Sequence, residues 1–261
     1  MFYDLGGDIV INVNGKLAEE LSNFFNKRSS LFGIKVIIEC QITETGNVSA
    51  EYNDSLFIFN RQNWVAQLFQ KLPEIFFETY PNFLFLHGSC FSCNNNIVLL
   101  LGHSKSGKST ALYNVFLDNR IKCKYVSDEI IAIEPTKKYI LPLSNKPIQL
   151  REDVVSHKNH YFVNDAWNMK KITFFCPQIK ESNCLYFNEH RLLVFFIKYC
   201  ENSEFQVNPI CGYDLVNSLF RCCFNISKIS HDVIANIATK NMKAISLIYD
   251  GNIEKLFEVI S

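Results

Sequence analysis

At 261 residues, with 48% hydrophobic and 20% charged side chains, the chain can bury the core of one large domain or two small ones, which excludes a disordered protein. Its formal net charge is zero and its pI is near 7.0, so composition offers no electrostatic reason to expect nucleic acid or an anionic membrane as partner. No run reaches the ~18 apolar residues of a membrane-spanning helix, and MFYDLGGDIV lacks the features of a secretion signal, which makes the cytosol the expected compartment.

Residues 8–14 alternate apolar and polar, the pattern of a half-buried strand. Over 16–27, Leu17, Leu21, Phe24 and Phe25 recur at helical spacing. Strands are expected at 33–42 and 55–60, with a hairpin or loop over the polar stretch Thr43–Asp54. Trp64, Leu68, Leu72 and Phe76 step by four and predict a helix over 61–79, with Pro73 as a point of kinking. Strand-like runs at 83–93 and 97–101 are separated by Asn94-Asn95-Asn96, a good turn sequence. A helix at about 107–119 and strands at 123–127, 130–134 and 138–142 follow. Residues 151–190 are polar and irregular and carry no clear periodicity. Beyond them come a strand at 191–199, helices at 212–223 and 229–241, a strand at 244–249 and a short helix at 253–260. The simplest arrangement is an N-terminal α+β extension over 1–80 and one catalytic domain over 81–261.

The chemistry begins at Gly102. Gly102-His103-Ser104-Lys105-Ser106-Gly107-Lys108-Ser109-Thr110 is a G-x-x-x-x-G-K-S motif placed after an apolar strand and before a helix. By chance such a match is expected about 0.01 times in a chain this long, and the strand–helix context makes coincidence rarer still. Two glycines let the backbone curl so that successive N–H groups converge on phosphate. The helix that follows adds free N–H groups and the positive end of its dipole. Lys108 supplies a point charge for β- and γ-phosphates, and the Ser109 hydroxyl can ligate Mg²⁺. A nucleoside triphosphate, ATP by default, is the expected ligand.

About twenty residues after Lys108, Asp128 and Glu129 close a predicted strand. A P-loop enzyme needs a carboxylate there to hold the metal or its water, and two adjacent acids allow one to take a proton from an attacking hydroxyl. The ten cysteines read as reduced, buried thiols. Cys90 and Cys93 form a C-x-x-C, but they lie in a predicted strand, and the adjacent Cys222 and Cys223 lack zinc-ligand spacing.

Over about residues 83–155 the spacing of these motifs resembles the catalytic domain of HPr kinase/phosphorylase and its HPr-kinase-like relatives. His87-Gly88 opens the strand ahead of the loop and Gly102 stands fifteen residues after His87. Asp128-Glu129 occupies the place of the family's Asp-Asp pair, and Pro147-Ile148-Gln149-Leu150-Arg151-Glu152 is similar to a segment with an acid and an arginine near the metal. The resemblance implies a P-loop kinase fold related to phosphoenolpyruvate carboxykinase, α/β with a mixed central sheet. It implies phosphoryl transfer to a serine hydroxyl, and the reading adopted is a Mg²⁺-dependent kinase that uses ATP on a Ser or Thr hydroxyl. By position, Asp128 becomes the general base, with His87 beside it and Lys108 on the phosphates, while Glu129 and Glu152 join Ser109 around the metal. HPr kinases assemble as oligomers; for this chain the oligomeric state is left open, a homo-oligomer included.

The acceptor is expected to be a peptide or protein. The glycine-rich segment that marks the protein-substrate site of true HPr kinases is not found. Shorter relatives include kinases of precursor peptides of ribosomal natural products. Arg151, Lys170 and Lys171 are further cations available to a transferring phosphoryl group. Two alternatives stand beside the peptide kinase: a kinase of a small hydroxy-amino acid, and a nucleotide-responsive binding protein that transfers nothing.

Overall fold

The structure, a computed structural model, describes residues 1–22, 24–25, 27–117, 122–143, 147–151, 160–164, 171–200, 203–225, 229–238 and 242–260. In chain order the elements are β1 (Phe2–Gly6), β2 (Ile9–Asn12), α1 (Lys16–Leu21), β3 (Val36–Ile42), β4 (Val48–Tyr52), β5 (Ser55–Phe59) and α2 (Trp64–Thr79). Then come β6 (Leu84–Cys93), β7 (Asn96–Leu101), α3 (Lys108–Leu117), β8 (Cys123–Ser127), β9 (Ile130–Glu134) and β10 (Tyr139–Leu141). The remainder is β11 (Ile148–Arg151), β12 (His160–Asn164), β13 (Lys171–Phe175), β14 (Leu185–Tyr186), β15 (Arg191–Tyr199), β16 (Gln206–Ile210), α4 (Gly212–Arg221), α5 (His231–Ile237), β17 (Met242–Tyr249) and α6 (Ile253–Ile260). The class is mixed α/β with several sheets.

The chain divides into two units, one of 1–81 with 144–176 and one of 82–143 with 177–261. Residues 144–176, counted with the second domain on sequence, therefore group with the first.

In the first unit, β1 to β5 form a five-stranded sheet in chain order, with β2 and β3 parallel and the other neighbours antiparallel. Strand β4 lies within the stretch expected to be a hairpin or loop. Val48, Ala50 and Tyr52 point inward along it, a short alternation that its polar neighbours conceal. Asn53 and Asp54 both take positive φ, 44° and 62°, and make the tight turn into β5. Helix α1 ends at Leu21, short of the expected 27, because Phe24 and Phe25 serve another purpose. Phe24 packs edge-on against Phe69 of α2 and Phe174 of β13, with ring centroids 5.8 and 5.6 Å apart. Phe69 and Phe174 are themselves 5.0 Å apart. This aromatic cluster gathers the antiparallel sheet β11-β13-β12 into the first unit.

The second unit is built on a sheet of order β14-β10-β9-β6-β7-β15-β17-β16, with β8 on β6. Its centre, β7-β15-β17, is parallel; the other strand pairings are antiparallel. All six residues of β7 are buried, as a central strand covered on both faces requires. Ile97, Leu99 and Leu101 join one hydrophobic cluster with Leu215 and Leu219 of α4 and Ile234 and Ile237 of α5. Helix α3 contributes nothing to that cluster and packs on β6 and β7 across the opposite face. Among the described residues no helix is long and apolar enough to cross a membrane.

Candidate functional site

The parallel strands β7, β15 and β17 run side by side, and the chain leaves β7 at Leu101 into the glycine-containing loop. Gly102 takes φ 153°, and a Cβ built there would sit 2.7 Å from both the Ile197 carbonyl oxygen and Ser106 Oγ. Gly107 takes φ 91°, and its Cβ would sit 2.8 Å from the Cβ of Tyr199. Tyr199, at the end of β15, also donates its amide to the Ser106 carbonyl at 2.8 Å, so strand and loop are clamped together. Gly107→Ala would force both a strained φ and a collision with Tyr199, at about 1–2 kcal/mol for the left-handed backbone alone. Anion or nucleotide affinity measured by calorimetry is expected to fall about tenfold; an unchanged affinity would show that this turn does not shape the site.

Among the described residues, the loop's N–H groups find few backbone acceptors. Ser106 donates to the His103 carbonyl at 3.2 Å, and the first bond of α3 runs from the Ala111 amide to the Gly107 carbonyl at 2.8 Å. Among the described residues, the amides of Ser104, Lys105, Gly107, Lys108, Ser109 and Thr110 donate to no backbone carbonyl. Lys105 adds a positive φ of 71°, which turns the loop backbone inward. Ser106 Oγ is buried and also lacks a partner among the described residues. A concave row of donors of this kind suits an anion.

Lys108 lies at the centre, 6% exposed, with Nζ donating to the carbonyls of Gly102 and His103 at 2.9 Å each. Burial pushes its ammonium below the ordinary lysine range, partly offset by the charges of Asp128, Cys222 and Glu129. His103, Ser104 and Lys105 are exposed along the rim, and Thr110 is half-buried.

The acidic pair reaches this place through strand register. Strands β8 and β9 run in turn along one edge of β6, with Cys90 opposite Ser127 and His87 opposite Ile130. That frame sets Asp128 across from Ser89 and Glu129 across from Gly88, whose amide donates to the Glu129 carbonyl at 3.3 Å. Asp128 is 3% exposed, and its Oδ1 accepts from Ser89 Oγ at 2.6 Å and Ser109 Oγ at 3.2 Å. Glu129 is exposed and takes φ 72°, which turns it away from the regular pleat. With its proton spent on Asp128, the Ser109 hydroxyl keeps its lone pairs for a cation, beside the Asp128 carboxylate, a hard ligand of the kind Mg²⁺ takes.

His87 and Ser89 share one face of β6 by strand alternation. The His87 ring lies 5.3 Å from that of Phe224, and its amide donates to the Cys222 carbonyl at 2.7 Å. Gly88 has a packing reason to be glycine, because a Cβ there would come 2.7 Å from the Leu100 carbonyl oxygen. Where β7 leaves the sheet, residues 222–225 take over the free edge of β6: Leu86 bridges Cys223, and Phe224 donates to Phe85 at 2.9 Å. This sets Cys222 beside the loop. Burial pushes its thiol up, against the pull of Lys108 and of the Gly102 amide. Sequence reasoning passes over Ser89 and takes Cys222 only as one of an adjacent pair. Register alone brings Ser89 to Asp128, and Cys222 arrives from far downstream with no local signal.

Arg151 ends β11 and Lys171 begins β13, both in the first unit. Glu152 and Lys170 lie outside the described residues. All ten cysteines are free, and no group of three or more His, Cys, Asp or Glu suited to a metal forms among the described residues. Compared with known proteins, the chain matches no family model and no curated protein.

Proposed function

We propose that the second unit is a P-loop kinase domain that uses ATP and Mg²⁺ to phosphorylate a Ser or Thr hydroxyl of a peptide or protein. One observation carries the proposal. Ser109, in the first turn of the helix that Lys108 begins, and Asp128, at a strand end some twenty residues on, meet at 3.2 Å beside a buried lysine and a row of unspent amides. A solvated turn with an incidental lysine has no reason to bury Asp128 and Lys108 together.

In this proposal the loop amides and Lys108 bind the phosphates, and Ser109 with Asp128 holds the cation. Bound Mg²⁺ would supply charge neutralisation on the phosphoryl oxygens. The geometry favours a division of labour between the acids opposite to the one the family resemblance implies. Oδ1 of Asp128 already accepts two hydroxyl protons, whereas Glu129 is exposed beside it, where an acceptor hydroxyl can reach its carboxylate. Glu129 is therefore assigned the proton, and Asp128 the metal. His87, on the face of β6 that carries Ser89, orients the acceptor.

The test is transfer of labelled γ-phosphate to Ser- and Thr-containing peptides, with free serine and threonine alongside. Wild-type protein is expected to label a peptide. Glu129→Gln is expected to bind ATP normally and to lose about 100-fold or more of transfer, the range of a general base. Saturable ATP binding with no acceptor labelled would sink the kinase and leave a nucleotide-responsive binding protein.

A further inference from the structure

We infer that Ser89 is a positioning residue: it locks Oδ1 of Asp128 so that the Ser109 hydroxyl is aimed at the cation. The inference rests on the nucleotide-binding proposal above and deepens it. A carboxylate turns easily about its Cβ–Cγ bond, so an Asp that must present one oxygen to a neighbour needs that torsion held. Ser89 is 0% exposed in the middle of β6, where a hydroxyl is costly unless bonded. It donates to Asp128 Oδ1 at 2.6 Å, the short distance of a charge-assisted bond. Ser109 donates to the same oxygen at 3.2 Å. The shorter bond comes from a central strand and the longer one from the first turn of α3, directly after the glycine-containing loop.

Oδ1 is therefore an anchored acceptor, and Ser109 is oriented by it. With its proton directed at Oδ1, Ser109 turns its lone pairs away from Asp128. Ser89 touches neither nucleotide nor cation in this scheme. It acts through Asp128, as outer partners of metal ligands do.

The experiment compares wild type, Ser89→Ala and Ser89→Thr in the full chain. The readouts are the Mg²⁺ concentration that half-saturates ATP binding, ATP binding in EDTA, and Tm. Ser89→Ala is expected to raise the half-saturating Mg²⁺ about tenfold, with binding in EDTA within about twofold of wild type. Ser89→Thr keeps the hydroxyl and is expected to stay within about threefold. Should Ser89→Ala not fold, Ser89→Cys preserves the volume with a weak donor and supplies the same comparison. An unchanged Mg²⁺ requirement in Ser89→Ala, or equal loss in the Ala and Thr variants, overturns the role assigned to Ser89 while wild type still binds Mg·ATP. Absence of Mg²⁺-dependent ATP binding in wild type overturns the nucleotide proposal itself, and the role of Ser89 with it.

Discussion

Asp128→Asn is expected to cut phosphoryl transfer by at least about 100-fold while leaving ATP binding in EDTA within a few-fold of wild type. The substitution is close to isosteric, and the amide oxygen of the new side chain can still accept from Ser89 and Ser109. What disappears is the charge. Asp128 is 3% exposed, so little water would compete for a cation bound there as proposed, and the introduced NH₂ group would face that cation with the wrong polarity. Lys108 also loses a carboxylate that offsets the effect of its burial. Three measurements separate the possibilities: transfer rate, Mg²⁺ titration and Mg²⁺-free nucleotide affinity. Loss of nucleotide binding in EDTA would move Asp128 from the metal to the architecture of the loop.

Lys108→Met is expected to weaken ATP binding by about 10- to 100-fold, the range for deleting a charged hydrogen-bonding partner. Its effect on the unliganded fold should be small. The side chain is 6% exposed, and burial disfavours its charge, so removing it relieves desolvation even as two carbonyls lose their donor. The methionine keeps most of the stem's volume. Tm is expected to move by no more than a few degrees, with calorimetry carrying the functional difference. Lys108→Arg is not expected to restore affinity, because a planar guanidinium cannot occupy the compact position between the Gly102 and His103 carbonyls. An affinity within about twofold of wild type for the methionine variant would dismiss the loop as a phosphate cradle.

Much of the second unit could be read along the chain because its signals are local. Asn94 and Asn95 take φ 49° and 65°, the turn that their residue type announces between β6 and β7. The apolar run before Gly102 is a buried central strand, and the helix after Gly107 begins at Lys108. Strand β15 occupies 191–199, the expected span. Elements without a strong period were missed or misjudged: β1, β4, β11 and β16, and the strands within 151–190. In β16, Val207 and Ile210 are too few and too poorly buried to mark a strand; pairing with β17 makes it one.

For the site, residue types and spacing determined the loop, the glycines that its backbone demands and the acid pair that accompanies it. These features depend on steric limits and charge within a few residues, which a linear sequence carries in full. Tertiary structure alone decided which acid faces Ser109, that Ser89 stands across from Asp128, and that the segment after Cys222 closes the edge of β6 which β7 vacates. It also decided that 144–176 join the first unit through Phe174. Each of these is a matter of strand register or aromatic packing between segments far apart in sequence. A one-residue slip would place every side chain of a strand on the other face, and no local pattern records which register is taken.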